Sequence, residues 1–270
     1  MGKGSRFEIL VDHPLSYSQV IAEYEPGQTP HLSSEELGLI DSIWNEAIGR
    51  AAACGAPLFN GKLFRLVDFQ LRDSGTLHLR LGDTCYKEYV GMREPIFYRS
   101  RPRADLANPI AVCAVIITDD NRIVLHRRKW VDVYPLFFHV IGGFIDRDRD
   151  AQSLPLLAPS AIAREVAEEL GLTVRPEAFT CLGLVYDLPT PHPELCFYTR
   201  VPVQSEDLRK VLPPEREAES THFIPNDPRA LHSFILENRD CLSATGEPAL
   251  LLYGKRIHGE QWFSDLTPIE

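Results

Sequence analysis

Glu165, Glu168 and Glu169 stand at i, i+3 and i+4 in the stretch Arg164-Glu165-Val166-Ala167-Glu168-Glu169-Leu170-Gly171-Leu172. On a helix of about 3.6 residues per turn, that spacing gathers three carboxylates on one narrow face. Ile162, Ala163, Val166, Ala167 and Leu170 fill the neighbouring arc, so the helix is expected to bury one side and present the other. Carboxylates this close repel one another unless a cation sits among them, and hard oxygen donors suit Mg2+, with Mn2+ second, over a soft metal. A solvated acidic face is the ordinary reading of a bare Glu-Glu pair. The order of the whole stretch, with Gly142-Gly143 upstream, favours the metal. Gly171 fits a left-handed C-terminal cap, and Pro159-Ser160 is expected to open the helix.

Other groups could serve the same chemistry. A carboxylate-held divalent ion neutralises charge and lowers the pKa of a bound water. Arg127, Arg128 and Lys129 cluster at a strand end just before the glycines and could clamp phosphate oxygens, since an Arg fork matches them. Glu194, Glu217 and Glu219 are the candidates for a further carboxylate acting as base or extra ligand.

The stretch from Arg164 to Leu172 resembles the second half of a Nudix box. That pattern runs Gly, five residues, Glu, seven residues, then Arg-Glu-U-x-Glu-Glu-x-Gly-U, with U apolar. From Gly143 to Arg164 is 21 positions where the pattern has 14, so an extra loop of about seven residues is inserted, with Arg147 to Pro159 the expected place. No Glu lies between the glycines and Arg164; Asp146, Asp148 or Asp150 must replace the box Glu that pairs with the Arg, or it is absent. The resemblance implies Glu165, Glu168, Glu169 and the Gly142 carbonyl as metal ligands, with Arg164 tethering loop to helix. A carbonyl turns toward a metal only where no side chain obstructs it, which suits the paired glycines.

A weaker resemblance covers most of the chain. Leu58-Phe59-Asn60-Gly61-Lys62 and Gly82-Asp83-Thr84-Cys85-Tyr86-Lys87-Glu88-Tyr89-Val90-Gly91 are similar to the N-terminal part of the Nudix UDP-glucose and UDP-galactose diphosphatases, as are Pro193-Glu194-Leu195-Cys196-Phe197-Tyr198 and Glu217 to Thr221. It implies that Phe59 and Tyr86 hold a uridine by stacking and apolar contact. Arg93, Arg127, Arg128 and Glu194 are the further candidate substrate contacts. Met92-Arg93 replaces the relatives' Thr-Asn, and Phe144-Ile145-Asp146 their His-Pro-Glu.

The elements that must position these groups are legible in outline. Phe7 to Val11 reads as a strand. Ser33 to Glu36 is a capping box opening a long helix with Leu37, Ile40, Ile43, Trp44, Ala47 and Ile48 on its apolar face, ending at Cys54-Gly55. Phe64 to Leu71 and Thr76 to Leu81 form a hairpin, and Asp83 or Thr84 caps a short helix. Glu94 to Asn108, rich in Arg and Pro, reads as a linker or a long crossing loop. Ile110 to Ile117 is a strand buried on both faces, Arg122 to Arg128 its hairpin partner, and Phe137 to Ile141 a third strand leading into the glycines. Phe179 to Tyr186 and Leu195 to Val203 follow as strands, then helices at Ser205 to Val211, Pro228 to Asn238 and Ala249 to Ile257.

With 270 residues, 44% of them apolar and 24% charged, the chain can bury a sizeable core. A net charge of -10 argues against general binding to nucleic acid or anionic membranes. Six scattered cysteines, without paired spacing, read as reduced thiols. No signal-like N-terminus and no run of about 20 apolar residues occurs, so a cytoplasmic protein is expected, its oligomeric state open. The expected architecture is α/β: a Nudix α/β/α sandwich with a mixed sheet over residues 108–270, and an N-terminal α+β extension over 1–107 that shapes the substrate pocket. The resemblance implies Mg2+-dependent hydrolysis of a UDP-sugar to UMP and sugar 1-phosphate. Hydrolysis of ADP-ribose or another nucleoside diphosphate derivative, and nucleotide binding without catalysis, are the alternatives.

Overall fold

The structure, a computed structural model, describes residues 5–53, 55, 58–129, 132–213 and 218–267. Its strands are β1 (Phe7–Val11), β2 (Leu15–Ser16), β3 (Val20–Tyr24), β4 (Lys62–Leu71), β5 (Leu77–Cys85), β6 (Ala111–Ile117), β7 (Arg122–Arg128), β8 (Phe138–His139), β9 (Ile141–Phe144), β10 (Thr180–Asp187), β11 (His192–Arg200) and β12 (Ala218–Pro225). Its helices are α1 (Ser34–Ala53), α2 (Tyr86–Met92), α3 (Pro95–Tyr98), α4 (Arg147–Asp150), α5 (Leu157–Leu170), α6 (Ser205–Val211), α7 (Pro228–Asn238), α8 (Gly246–His258) and α9 (Glu260–Leu266).

The uninterrupted apolar run of β6 is buried at every position and lies inside a mixed sheet ordered β1-β10-β11-β6-β7-β12. It pairs in parallel with β11 and antiparallel with β7 and β9. Alternation along β6 sends Val112, Ala114 and Ile116 to one face, where Leu157, Ala161, Ile162 and Val166 of α5 pack. Cys113, Val115 and Ile117 go to the other, against Leu250 and Leu251 of α8 and Leu231 and Ile235 of α7. The layers are therefore helix, sheet, helix, as expected.

A second sheet, β3-β5-β4, shares the α5 cluster through Val20, Ala22, Phe64, Leu66, Leu77 and Leu79. One contiguous hydrophobic cluster thus crosses the division expected at residue 107, and β1 and β2 join the large sheet by pairing with β10. The expected linker, Glu94 to Asn108, contains α3 and buries Phe97, Leu106 and Ala107. These three pack on Ile40 of α1 and Tyr89 of α2.

The capping box of α1 forms as read: Ser33 N donates to Glu36 at 2.8 Å and Glu36 N to Ser33 Oγ at 3.2 Å. Its buried face is narrower than expected, being Ile40, Trp44 and Ala47, while Leu37 and Ile48 are exposed. Cys54, its expected end, lies outside the described residues. The cap of α2 is Cys85 rather than Asp83 or Thr84. Asp83 instead accepts from Tyr24 Oη and Gly27 N. β12 and α9 were not expected. The third strand is split, and its second half, β9, runs through Gly142 and Gly143.

Candidate active site

α5 begins at Leu157, two residues before the expected Pro159, and ends as expected at Gly171, whose φ of 69° is left-handed. Gly171 N caps the helix by donating to Ala167 O at 3.0 Å. Glu165 is turned inward and nearly buried, while Glu168 is 38% exposed along its side chain and Glu169 12%. Ala167, placed on the apolar arc by periodicity, is exposed.

Both glycines of β9 are required by close approach. A Cβ on Gly142 would stand 2.3 Å from the Val112 carbonyl, and one on Gly143 would stand 2.8 Å from Glu165 Oε1. The Glu165 carboxylate therefore rests directly on the Gly143 backbone, in space a methyl group would fill.

The inserted segment is folded rather than a loop: α4, then a 3-10 turn over Ala151–Ser153, then the first residues of α5. Of the three aspartates that could replace the missing Glu, geometry selects Asp150. Arg164 Nε donates to its Oδ1 and Arg164 Nη2 to its Oδ2, both at 2.8 Å, a two-pronged pair at a carboxylate 5% exposed. Asp150 Oδ2 also accepts Asp146 N at 2.9 Å. Asp146 caps α4 through the amides of Asp148 and Arg149, and Asp148 pairs with Lys62. Thus anchored, Arg164 reaches Glu165 Oε1 at 2.8 Å and Glu168 Oε2 at 3.2 Å. Burial alone would lower the Arg164 pKa, but Asp150, Glu165 and Glu168 more than offset it and the guanidinium stays charged.

Each carboxylate of the trio has a cationic or cation-capable neighbour: Arg164 at Glu165, Arg149 and Arg164 at Glu168, and His126 Nδ1 3.3 Å from Glu169 Oε2. A small cavity beside them is lined by His126 and Arg128 of β7, His139 and Val140, Gly142, and Glu169. Strand alternation separates the two arginines read as one cluster. Arg128 faces this cavity, whereas Arg127 points to the other side, 5.9 Å over the Phe138 ring and 3.9 Å from Glu219. Glu217 lies outside the described residues.

Glu194 sits under the site, 3% exposed, with His139 Nε2 3.6 Å from one oxygen and His192 Nε2 3.6 Å from the other. His192 Nδ1 donates to the Thr190 carbonyl at 2.5 Å, and His139 Nδ1 lies 2.6 Å from Ser243 Oγ. Burial pushes Glu194 upward, yet the two imidazoles more than offset it and hold the carboxyl well below its usual range. For His192, burial lowers the pKa, but Glu194 and Asp187 raise it by more, so the net shift is upward. This carboxylate is enclosed by imidazoles rather than open to a substrate, so the structure does not place it as the substrate contact first read.

The N-terminal unit brings aromatic groups to the same end of the sheet. Tyr86, Tyr89 and Phe144 pack edge to face at 5.1–6.1 Å, and Phe144 directly follows the paired glycines. Asp132 accepts from Tyr86 Oη at 2.8 Å and from Arg93 at 2.7 Å. Arg93 also lies 5.3 Å over the Tyr89 ring. Phe59, 75% exposed, sits on the turn that docks against α2 through Gly61 O and Asn60 Oδ1. Sequence reasoning named Phe59, Tyr86 and Arg93 but missed His126, Asp132, His139 and Phe144. The polar–apolar alternation at the ends of β7 and β8 was the only signal for the two histidines.

A divalent ion suits the donor set: three carboxylates, all hard oxygen ligands, beside a backbone that accepts no Cβ. Among the described residues, no three His, Cys, Asp or Glu side chains are gathered closely enough to hold an ion as they stand. The carboxylates are instead drawn toward Arg149, Arg164 and His126.

Residues 107–229 match the family model of the NUDIX domain. No curated protein sequence matches the chain. Similar solved structures include the NUDIX domain of Shewanella oneidensis NrtR complexed with ADP ribose, at 17% identity and TM-score 0.43, covering 58% of this chain and 93% of that one. The MutT protein of Methanosarcina mazei Go1 gives 18% identity and TM-score 0.41 over 54% of this chain and 93% of that one. At these identities and scores the likeness bears on neither substrate nor residue roles. Among the described residues, no helix is long and apolar enough to cross a membrane.

Proposed function

We propose, for a chain whose residues 107–229 match the NUDIX domain model, Mg2+-dependent hydrolysis of a UDP-sugar to UMP and a sugar 1-phosphate. The class of reaction, hydrolysis of a phosphorus-containing anhydride, follows from that domain. The observation that carries the reading is the acidic face of α5 lying on the Gly142-Gly143 backbone, with Arg164 fixed by Asp150. Glu165, Glu168, Glu169 and the Gly142 carbonyl would hold the ion, and a bound Mg2+ or Mn2+ supplies charge neutralisation and a more acidic water. Arg164 orients Glu165 and Glu168 through its own bonds to both. Arg128 lines the adjoining cavity and takes the phosphate oxygens there, while Arg127, on the opposite face, takes no part.

The uridine preference rests on the resemblance of the N-terminal segments and on the aromatic groups they deliver. Phe59 offers an exposed ring, and Tyr86 presents its edge within the cluster that meets Phe144. Glu194 positions His139 and His192 rather than touching substrate. An aromatic surface accepts an adenine as readily, so ADP-ribose is the second substrate class to test.

The test is product analysis by mass with UDP-glucose, UDP-galactose and ADP-ribose in the presence of Mg2+. UMP and hexose 1-phosphate as the fastest-formed products support the reading. Faster release of AMP from ADP-ribose would leave the metal site in place and overturn the uridine assignment.

A further inference from the structure

The four consecutive charges of α4 are divided between two partners. Arg147 pairs with Asp83 and Asp148 with Lys62, both on the N-terminal β4–β5 hairpin, whereas Arg149 pairs with Glu168 and Asp150 with Arg164, both on α5. Three of these contacts hold the turn in place and involve no proposed metal ligand. The fourth puts a guanidinium on the most exposed carboxylate of the trio: Arg149 Nη2 bonds Glu168 Oε1, and its Nη1 lies 3.4 Å from Oε2. Arg164 shares Oε2 at 3.2 Å, so both oxygens of Glu168 are committed to arginines.

We propose that Arg149 is a built-in counter-cation: it holds Glu168 in the absence of a divalent ion, is displaced when the ion enters, and then takes a phosphate oxygen of the substrate. This rests on the metal-dependent reading above. An ion on Glu168 Oε1 competes with the Arg149 guanidinium held there, whereas Arg164 is anchored by Asp150 and stays on Oε2. Only the Arg149 side chain can swing, because Arg147, Asp148 and Asp150 keep α4 docked. The freed fork therefore stays at the rim of the metal face, where an anionic diphosphate arrives, and Arg geometry suits phosphate. The inserted segment thereby acquires a use: it supplies a cation that exchanges a carboxylate for the substrate.

The experiment compares wild type, Arg149→Gln and Arg149→Lys, each also in a Glu168→Gln background. Arg149 is 53% exposed along its side chain, so the variants keep the fold. Mn2+ titration by electron paramagnetic resonance without substrate reads the first half: Arg149→Gln is expected to bind about two- to five-fold tighter than wild type, the scale of an exposed ion pair. In the Glu168→Gln background that difference disappears. Steady-state kinetics at saturating Mg2+ reads the second half: KM for UDP-glucose rises about ten-fold in Arg149→Gln, the worth of one charge-assisted hydrogen bond, while kcat changes little. Arg149→Lys recovers part of the KM.

Equal Mn2+ affinity in wild type and Arg149→Gln would overturn the counter-cation, and an unchanged KM would overturn the phosphate contact. If no nucleotide sugar is hydrolysed yet Arg149→Gln still binds Mn2+ more tightly, the substrate reading fails and the counter-cation stands. If UDP-glucose is hydrolysed and neither Mn2+ affinity nor KM moves in Arg149→Gln, both roles of Arg149 fail and the hydrolase reading stands. A wild type that binds no Mn2+ overturns both.

Discussion

Replacing Asp150 with Ala removes the carboxylate that fixes Arg164. Three hydrogen bonds go with it, two from Arg164 and one from the Asp146 amide. Removing one partner of a fully buried ion pair costs about 3–5 kcal/mol. Asp150 meets that condition at 5% exposure, but Arg164 at 18% can recover water, so the expected loss is about 2–3 kcal/mol. For a chain this size that lowers Tm by roughly 5–10 °C. The functional effect is separate: Arg164, no longer held, stops orienting Glu165 and Glu168, and Mn2+ affinity falls about 10- to 100-fold. Thermal unfolding by circular dichroism and Mn2+ titration below Tm measure the two. Asp148→Ala is the control in the same turn, since its pair with Lys62 is exposed on both sides and is expected to shift Tm by less than about 2 °C. Equal behaviour of the two variants, or an Asp150→Ala protein with wild-type Tm and metal affinity, would refute the assignment of Asp150 as the partner of Arg164.

The paired glycines separate packing from metal binding. Gly143→Ala forces only the Glu165 side chain to move and is expected to fold with about ten-fold weaker Mn2+ binding, whereas Gly142→Ala drives a Cβ into the Val112 backbone and costs about 2 kcal/mol or more, read by urea unfolding. Glu194→Gln breaks a buried charge held by two imidazoles and is expected to cost about 3–5 kcal/mol near pH 6. Its pH dependence has a definite sign. The folded Glu194 carboxyl lies below its unfolded value, so its contribution is full above about pH 4.3 and is lost as pH falls through the folded value. The folded His192 lies above its unfolded value, so its contribution is full below about pH 6.5 and is lost as pH rises through the folded value. The stability gap between wild type and Glu194→Gln should therefore be widest between about pH 5 and 6.5, and a gap independent of pH would exclude an ionised network.

The metal face was legible in the sequence because helical spacing depends only on local geometry: Glu165, Glu168, Glu169 and the Gly171 cap are where the 3.6-residue period puts them. The choice among Asp146, Asp148 and Asp150 was not legible, since it depends on how the inserted segment folds. A loop was expected there, and a one-turn helix capped by Asp146 turned Asp150 inward. Arg127 and Arg128 were read as one cluster, although the two-residue period of the strand Arg122 to Arg128 already sends neighbours to opposite faces. Glu194 looked like an accessible carboxylate. Its place in an apolar run, Glu194-Leu195-Cys196-Phe197, was the sign of a strand buried on both faces, but the two imidazoles that make that burial tolerable come from residues 139 and 192. The docking of β1 and β2 on the large sheet is a pairing across more than 160 residues, for which no local pattern exists.

The central claim is that the acidic face of α5 holds the ion that drives hydrolysis, and Glu168 is its most accessible member. Mg2+-dependent release of UMP from UDP-glucose, followed by mass for wild type beside Glu168→Gln, tests it most directly. The account predicts UMP and glucose 1-phosphate from the wild type and a rate at least about 100-fold lower from the variant, with Tm preserved. A Glu168→Gln protein that releases UMP at the wild-type rate would contradict it.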